Sequence, residues 1–179
     1  RRTIFLSFIL GLVCFFLLRF VVFTYLSKIP VIQKEVIGSV GAYTSIEKLP
    51  PFVLGNLSRG LTTIDKNGQP VPDLATSWEV QDKGKAYIFH LKRGLYFVDG
   101  TPFTSKEIQY SFSDVTIQRP NDETIVFRLK NTYIPFLVTV SRPIFKKGFV
   151  GIGDYEIKDV TVNGTFITSL IIVDSNDPF

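Results

Sequence analysis

Trp78–Leu91 reads WEVQDKGKAYIFHL, two short alternating runs separated by Asp82-Lys83-Gly84. Tyr87, Phe89 and Leu91 occupy every second position, with Ala86, Ile88 and His90 between them. That is the period of a strand with one face in a core. The stretch therefore predicts an antiparallel hairpin, Trp78–Val80 against Ala86–Leu91. The same pattern continues downstream. Leu95–Val98 predicts a strand closed by Asp99-Gly100. Val115–Gln118 and Thr124–Lys130, around Arg119-Pro120-Asn121-Asp122, predict a second hairpin with Ile125, Phe127 and Leu129 inward. Tyr155–Val162 and Phe166–Val173, around Asn163-Gly164, predict a third, whose last strand reads as buried on both faces. Upstream, Glu35–Ser39 is a strand candidate, Asp65-Lys66-Asn67-Gly68 a tight turn with Asn-Gly supplying positive φ, and Pro70 and Pro72 an extended segment. Helical signals are fewer. Leu74–Ser77 reads as a helical turn, and Tyr133–Val140 as a helix with Pro135 in its first turn. Thr104-Ser105-Lys106-Glu107 is a capping box before Ile108, Phe112 and Val115 at helical spacing. The sum is a strand-rich α/β domain.

The first thirty residues differ in kind. Between Ile4 and Leu26, 17 of 23 positions are Phe, Leu, Ile or Val. As a helix this run is about 34 Å long, enough for a hydrocarbon core of about 30 Å. Arg19 opposes insertion by about 2.5–3.5 kcal/mol, against roughly 5–10 kcal/mol returned by the apolar residues. A cleaved signal peptide needs a shorter apolar region and small residues at its end, whereas the first alanine is Ala42. An uncleaved anchor over residues 1–28 is the expectation, with Ser27–Gln33 as linker. The chain begins with Arg1 and contains no Met, so it reads as a piece of something longer.

Composition narrows function. With 45% hydrophobic and 14% aromatic residues and a mean hydropathy of +0.23, the chain can bury a core and is not disordered as a whole. The net charge of +4 is concentrated at the start: no acid precedes Glu35, and from Lys28 onward 17 basic residues face 16 acidic ones. This is not a nucleic-acid-binding distribution. The single Cys14 excludes an intrachain disulfide. His90 is the only histidine and stands mid-strand among apolar neighbours, which favours a structural role over catalysis or metal binding. Gly151-Ile152-Gly153 lacks the length and preceding strand of a dinucleotide fingerprint. No catalytic residues, metal site or cofactor are expected.

Residues 59–112 carry a further signal. RGLTTIDKNGQPVPDLATSWEVQDKGKAYIFHLKRGLYFVDGTPFTSKEIQYSF resembles the family 5 extracellular solute-binding proteins, the receptors of peptide ABC importers. The resemblance lies in the PVPDLA-x-SW run, the D-x-GK-x-Y-x-F-x-L strand, the DG-x-PF-x-S turn and the YSF motif. It continues in order through Asp122–Phe127, Tyr133–Leu137 and Gly151–Tyr155, and covers about Glu35 to Val173. It implies a type II periplasmic-binding-protein-like fold, α/β, present here as part of one lobe with a strand-rich subdomain; the apolar run adds one transmembrane helix before it. Residues 45–150 would be the smaller subdomain; 33–44 and 151–179 would belong to the larger lobe, with Glu35–Ser39 beside Tyr155–Val173. Trp78, Tyr87, Phe89, Phe97 and Phe103 would form the small subdomain's aromatic core.

The resemblance also implies a substrate-binding component of an importer: extended peptides held between two lobes, with permease subunits as partners and the soluble part outside the cytoplasm, while the run Ile4–Leu26 makes the lipid bilayer a further partner. The family places the loop after the first strand at the cleft, which makes Ser39, Gly41, Ala42 and Tyr43 the candidate ligand residues; a plain turn is the competing reading. Two departures stand out: only Ser113–Asp122 separate YSF from the next strand, and Asp154 replaces the usual Pro. The second lobe is missing from this sequence. The alternative function is an anchored, non-catalytic interaction or sensory domain that keeps the scaffold alone.

Overall fold

The computed structural model describes the backbone of residues 2–26 and 41–175. It divides into two units, Arg1–Ser39 and Val40–Phe179. In the first unit, helix α1 (Arg2–Leu26) runs for 25 residues with no polar face. Its described side chains are continuous only from Gly11 to Phe23, and all of these are exposed. Among the described residues no helix is long and apolar enough to cross a membrane, so the expected span Ile4–Leu26 stands on the sequence alone. The expected strand Glu35–Ser39 lies outside the described residues.

The second unit is built around a four-stranded antiparallel sheet in the order β3 (Ala75–Gln81), β4 (Ala86–Leu91), β6 (Thr124–Leu129), β5 (Val115–Asn121). The alternation holds for residues 87–91: Tyr87, Phe89 and Leu91 are buried, while Ile88 and His90 are half-exposed on the other face; Ala86, expected with them, is buried. Across the ladder, Tyr87 pairs with Phe127 and Phe89 with Ile125. Asp82 and Lys83 both adopt positive φ and the Gly84 amide donates to the Gln81 carbonyl, the pattern of a primed turn that follows strand twist. Leu74–Ser77 is not a helical turn. Leu74 and Ala75 are fully buried, and β3 starts at Ala75.

The second hairpin turns later than expected. β5 continues through Pro120 to pair Asn121 with Thr124, with the register shifting between Gln118 and Asn121. Pro120 is tolerated because β5 is an edge strand, where a missing amide breaks no central ladder. The helix expected after Thr104 is absent. A single 3-10 turn, Ser105–Glu107, forms without a side-chain cap. Its backbone is committed elsewhere: the Ser105 amide donates to the Asp122 carbonyl, and the Arg119 guanidinium donates to the Ser105 and Ile108 carbonyls at 2.8 and 2.6 Å. Ile108, Tyr110 and Phe112 then face inward at every second residue, as in an extended chain.

The remaining elements frame this sheet. β1 (Thr62–Ile64) and β2 (Pro70–Pro72) form a hairpin in which Gly68 alone takes positive φ, while the Asp65 carboxylate accepts the Asn67 and Gln69 amides. Leu95–Val98 does not form a strand: the Asp99-Gly100 turn closes so early that Tyr96 meets Pro102 in one isolated bridge. Helix α2 (Pro51–Leu57) begins on a proline, and α3 (Phe136–Thr139) is one turn of the expected helix. β7 (Tyr155–Asn163) and β8 (Phe166–Asp174) form the third hairpin, with Gly164 at positive φ. β8 is not buried on both faces. Phe166 is 46% exposed and Ile171 36%, because within the described residues the ribbon is only two strands wide.

The core is aromatic. Phe127 is fully buried and meets Phe89, Phe112 and Phe136 at ring-centroid distances of 5.4–6.2 Å. Phe97 pairs edge-on with Phe103 at 5.8 Å, and Trp78 lies half-buried 6.2 Å from Phe89. The Tyr110 hydroxyl lies 2.9 and 2.7 Å from the Val140 and Arg142 carbonyls, which share its one proton, and burial pushes its pKa well above that of a free phenol.

Candidate functional site

Gly41, Ala42 and Tyr43 enter the second unit as an irregular segment before a 3-10 turn at Ile46–Lys48. Gly41 and Ala42 are exposed and Tyr43 is half-buried. The Tyr43 ring folds back over Gly41, within 2.5 Å of where a Cβ would lie. The Tyr43 carbonyl accepts the Ile167 amide at 2.8 Å, which ties the loop to β8. Ser39 lies outside the described residues. Of the three described candidates, Tyr43 is thus bonded to β8 through its backbone, with the exposed Gly41 and Ala42 preceding it.

The joint between the sheet and this ribbon is built from Ser58, Gly151 and Gly153. The buried Ser58 hydroxyl donates to the Ile144 carbonyl and accepts the Ile152 amide at 3.1 Å. A Cβ on Gly151 would fall 2.0 Å from the Leu57 carbonyl oxygen, and one on Gly153 2.1 Å from that of Asn56. Gly151-Ile152-Gly153 is therefore a close-approach device at the C-terminal end of α2 rather than a phosphate loop.

Two open grooves lie elsewhere on the unit. One, of about 490 Å³, has Phe112, Val115, Leu129 and Phe136 in its lining, with Asp114 and Tyr133 also contributing. The other, of about 450 Å³, is lined by Arg59, Tyr96, Asp154 and Ser175 among others. Arg59 is spoken for on both sides: one amino group sits 3.3 Å from Asp73, and Nε donates to the Ile152 carbonyl. Neither groove includes Gly41, Ala42 or Tyr43. The second groove escaped sequence reasoning because residues 59, 96, 154 and 175 belong to four separate segments. The only advance signals were the Arg59-Gly60 break and the unusual Asp154.

His90 stands on the outer sheet face, with Nε2 3.4 Å from Glu79. Among the described residues no group of three His, Cys, Asp or Glu side chains could hold a metal ion.

Comparison with solved structures places this arrangement in a class. DppA from Helicobacter pylori, a periplasmic binding protein solved in complex with the peptide STSA, superposes with a TM-score of 0.55 at 20% identity, covering 69% of this chain and 34% of that one. At that identity the likeness shows the fold alone, and the fold is that of part of a type II periplasmic binding protein. The chain belongs to the family described as bacterial extracellular solute-binding proteins, family 5 Middle, whose profile matches residues 69–168.

Among curated proteins, the chain is 33% identical over 84 residues to the probable D,D-dipeptide-binding periplasmic protein DdpA of Escherichia coli, covering 38% of this chain and 16% of that protein. It is 46% identical over 52 residues to the probable deoxycholate-binding periplasmic protein YgiS of Escherichia coli, covering 29% of this chain and 10% of that protein. The chain therefore spans less than a fifth of either relative.

Proposed function

We propose that the chain is the N-terminal part of a membrane-anchored substrate-binding component of an ABC-type peptide importer. The single observation that carries this is the family match over residues 69–168, supported by relatives named for dipeptide binding and by a neighbour solved with a peptide. On this reading residues 45–150 form the smaller subdomain, while 33–44 and 151–179 belong to a lobe sheet that also takes in Glu35–Ser39. Extended peptides bind between two lobes, with Ser39, Gly41, Ala42 and Tyr43 at the cleft. The Tyr43–Ile167 hydrogen bond supports this assignment, because it already lays the segment after the first strand along β8. A ligand held by such backbone groups is gripped through its main chain, which makes side-chain selectivity loose. Residues 1–28 anchor the protein in the cell membrane by one span, with the receptor part outside the cytoplasm and permease subunits as its docking partners. The relatives' periplasmic designation and the apolar run Ile4–Leu26 support that placement.

Calorimetry on the full-length gene product tests the reading. Alanine dipeptides and tripeptides are expected to give a saturable heat, and Tyr43→Ala to weaken it about tenfold, or about 1.4 kcal/mol. No heat from peptides, together with capture of a specific protein partner, would favour the anchored interaction or sensory domain. Alkaline carbonate extraction tests the anchor, which requires the protein to stay with the membrane pellet.

A further inference from the structure

We infer that, within the membrane, α1 docks through the face carrying Arg19 against a spanning helix of a different protein that bears a buried aspartate or glutamate at matching depth. This rests on the anchored reading above. Arg19 lies seven residues before Leu26, about 10 Å along the helix axis from the end of the apolar run. Long side chains on a helix lean toward its N-terminus, so the Arg19 stem is aimed at the middle of the hydrocarbon layer and away from the nearer interface. The usual escape by snorkelling is therefore directed the wrong way. An ionisable group held at that depth calls for a partner of opposite charge.

The helix supplies none, and neither would a second copy. No Asp or Glu occurs between Arg1 and Lys34, so pairing with a second copy of α1 would only add a second arginine. The occupant is therefore a helix other than α1 that brings its own carboxylate, and the permease subunits of the proposed function are the spanning partners that fit this need. Around Arg19, one turn before and after, stand Phe15, Phe16, Val22 and Phe23, all exposed on α1. They form an apolar collar that would exclude lipid headgroups and water from the ion pair.

The test uses the full chain in its native membrane, with a photo-reactive phenylalanine analogue at Phe16. The expected product is a covalent adduct to a partner peptide that contains an Asp or Glu within its membrane-spanning segment. Arg19→Leu should leave the protein in the carbonate-resistant pellet but cut the adduct yield about tenfold, and Arg19→Lys should restore it. Adducts to lipid alone, to a second copy of this chain, or to a partner in unchanged yield after Arg19→Leu would overturn the docking while leaving the anchor intact. Release of the wild-type chain by carbonate would overturn the anchor and the docking with it.

Discussion

Ser58 and Gly151 hold one joint from opposite sides, and each makes a prediction. The Ser58 hydroxyl is the shared partner of the Ile144 carbonyl and the Ile152 amide in a fully buried position. Ser58→Ala leaves both backbone groups without that partner and should cost about 2–3 kcal/mol in urea unfolding. Gly151→Ala forces a Cβ onto the Leu57 carbonyl and should cost about 1–3 kcal/mol. Gly55 is the control: a Cβ there meets nothing within 4 Å, and it stands inside α2. Gly55→Ala should stabilise by about 0.5–1 kcal/mol. Asp99 supplies the pH dependence. The Thr101 hydroxyl and amide, with Lys146 at 3.0 Å, hold its pKa down to about 2 from an ordinary 3.8. A carboxylate lowered on folding stabilises above its unfolded pKa and loses that contribution as pH falls through the folded one. Thermal melts should therefore weaken between about pH 4 and pH 2, with a shallower slope in Asp99→Asn.

The hairpin strands were the most legible elements, for a reason visible in β4 and β6. Their partners sit in the adjacent hairpin arm or the same sheet, so the large inward positions Tyr87, Phe89, Ile125 and Phe127 are buried as the alternation predicts, although Ala86 and Val126 on the opposite face are buried as well. Phe127 is the centre of that layer. Phe127→Ala should destabilise by about 3–5 kcal/mol, measured as a shift of the denaturation midpoint with unchanged slope. The helix expected from Thr104 failed because a capping signal is local while its competitor is not. Arg119, fourteen residues downstream of Ser105, claims the carbonyls a helix would need. β8 was misread for the opposite reason: Phe166–Val173 is apolar enough for two covered faces, but pairs only with β7 within the described residues. The candidate ligand loop was reachable only through resemblance, since Gly41, Ala42 and Tyr43 carry no motif of their own. The Arg59–Asp154 groove was not reachable at all, because spacing along the chain says nothing about which turns converge.

At the scale of the second unit, the layers differ in how well their backbone bonds are shielded. β4 and β6 are interior to a four-stranded sheet over the aromatic core, whereas β7 and β8 pair with each other. Native-state hydrogen exchange should thus find the slowest amides in β4 and β6, with the β7–β8 ribbon opening at lower free energy. Equal protection across both would contradict this layering. The chain's single tryptophan adds a practical consequence. Trp78 lies beside Phe89 on the four-stranded sheet and has no counterpart in the ribbon. Its fluorescence is therefore a built-in gauge of one layer: a red shift in emission marks loss of the sheet, while fraying of β7 and β8 leaves the spectrum dark to the change.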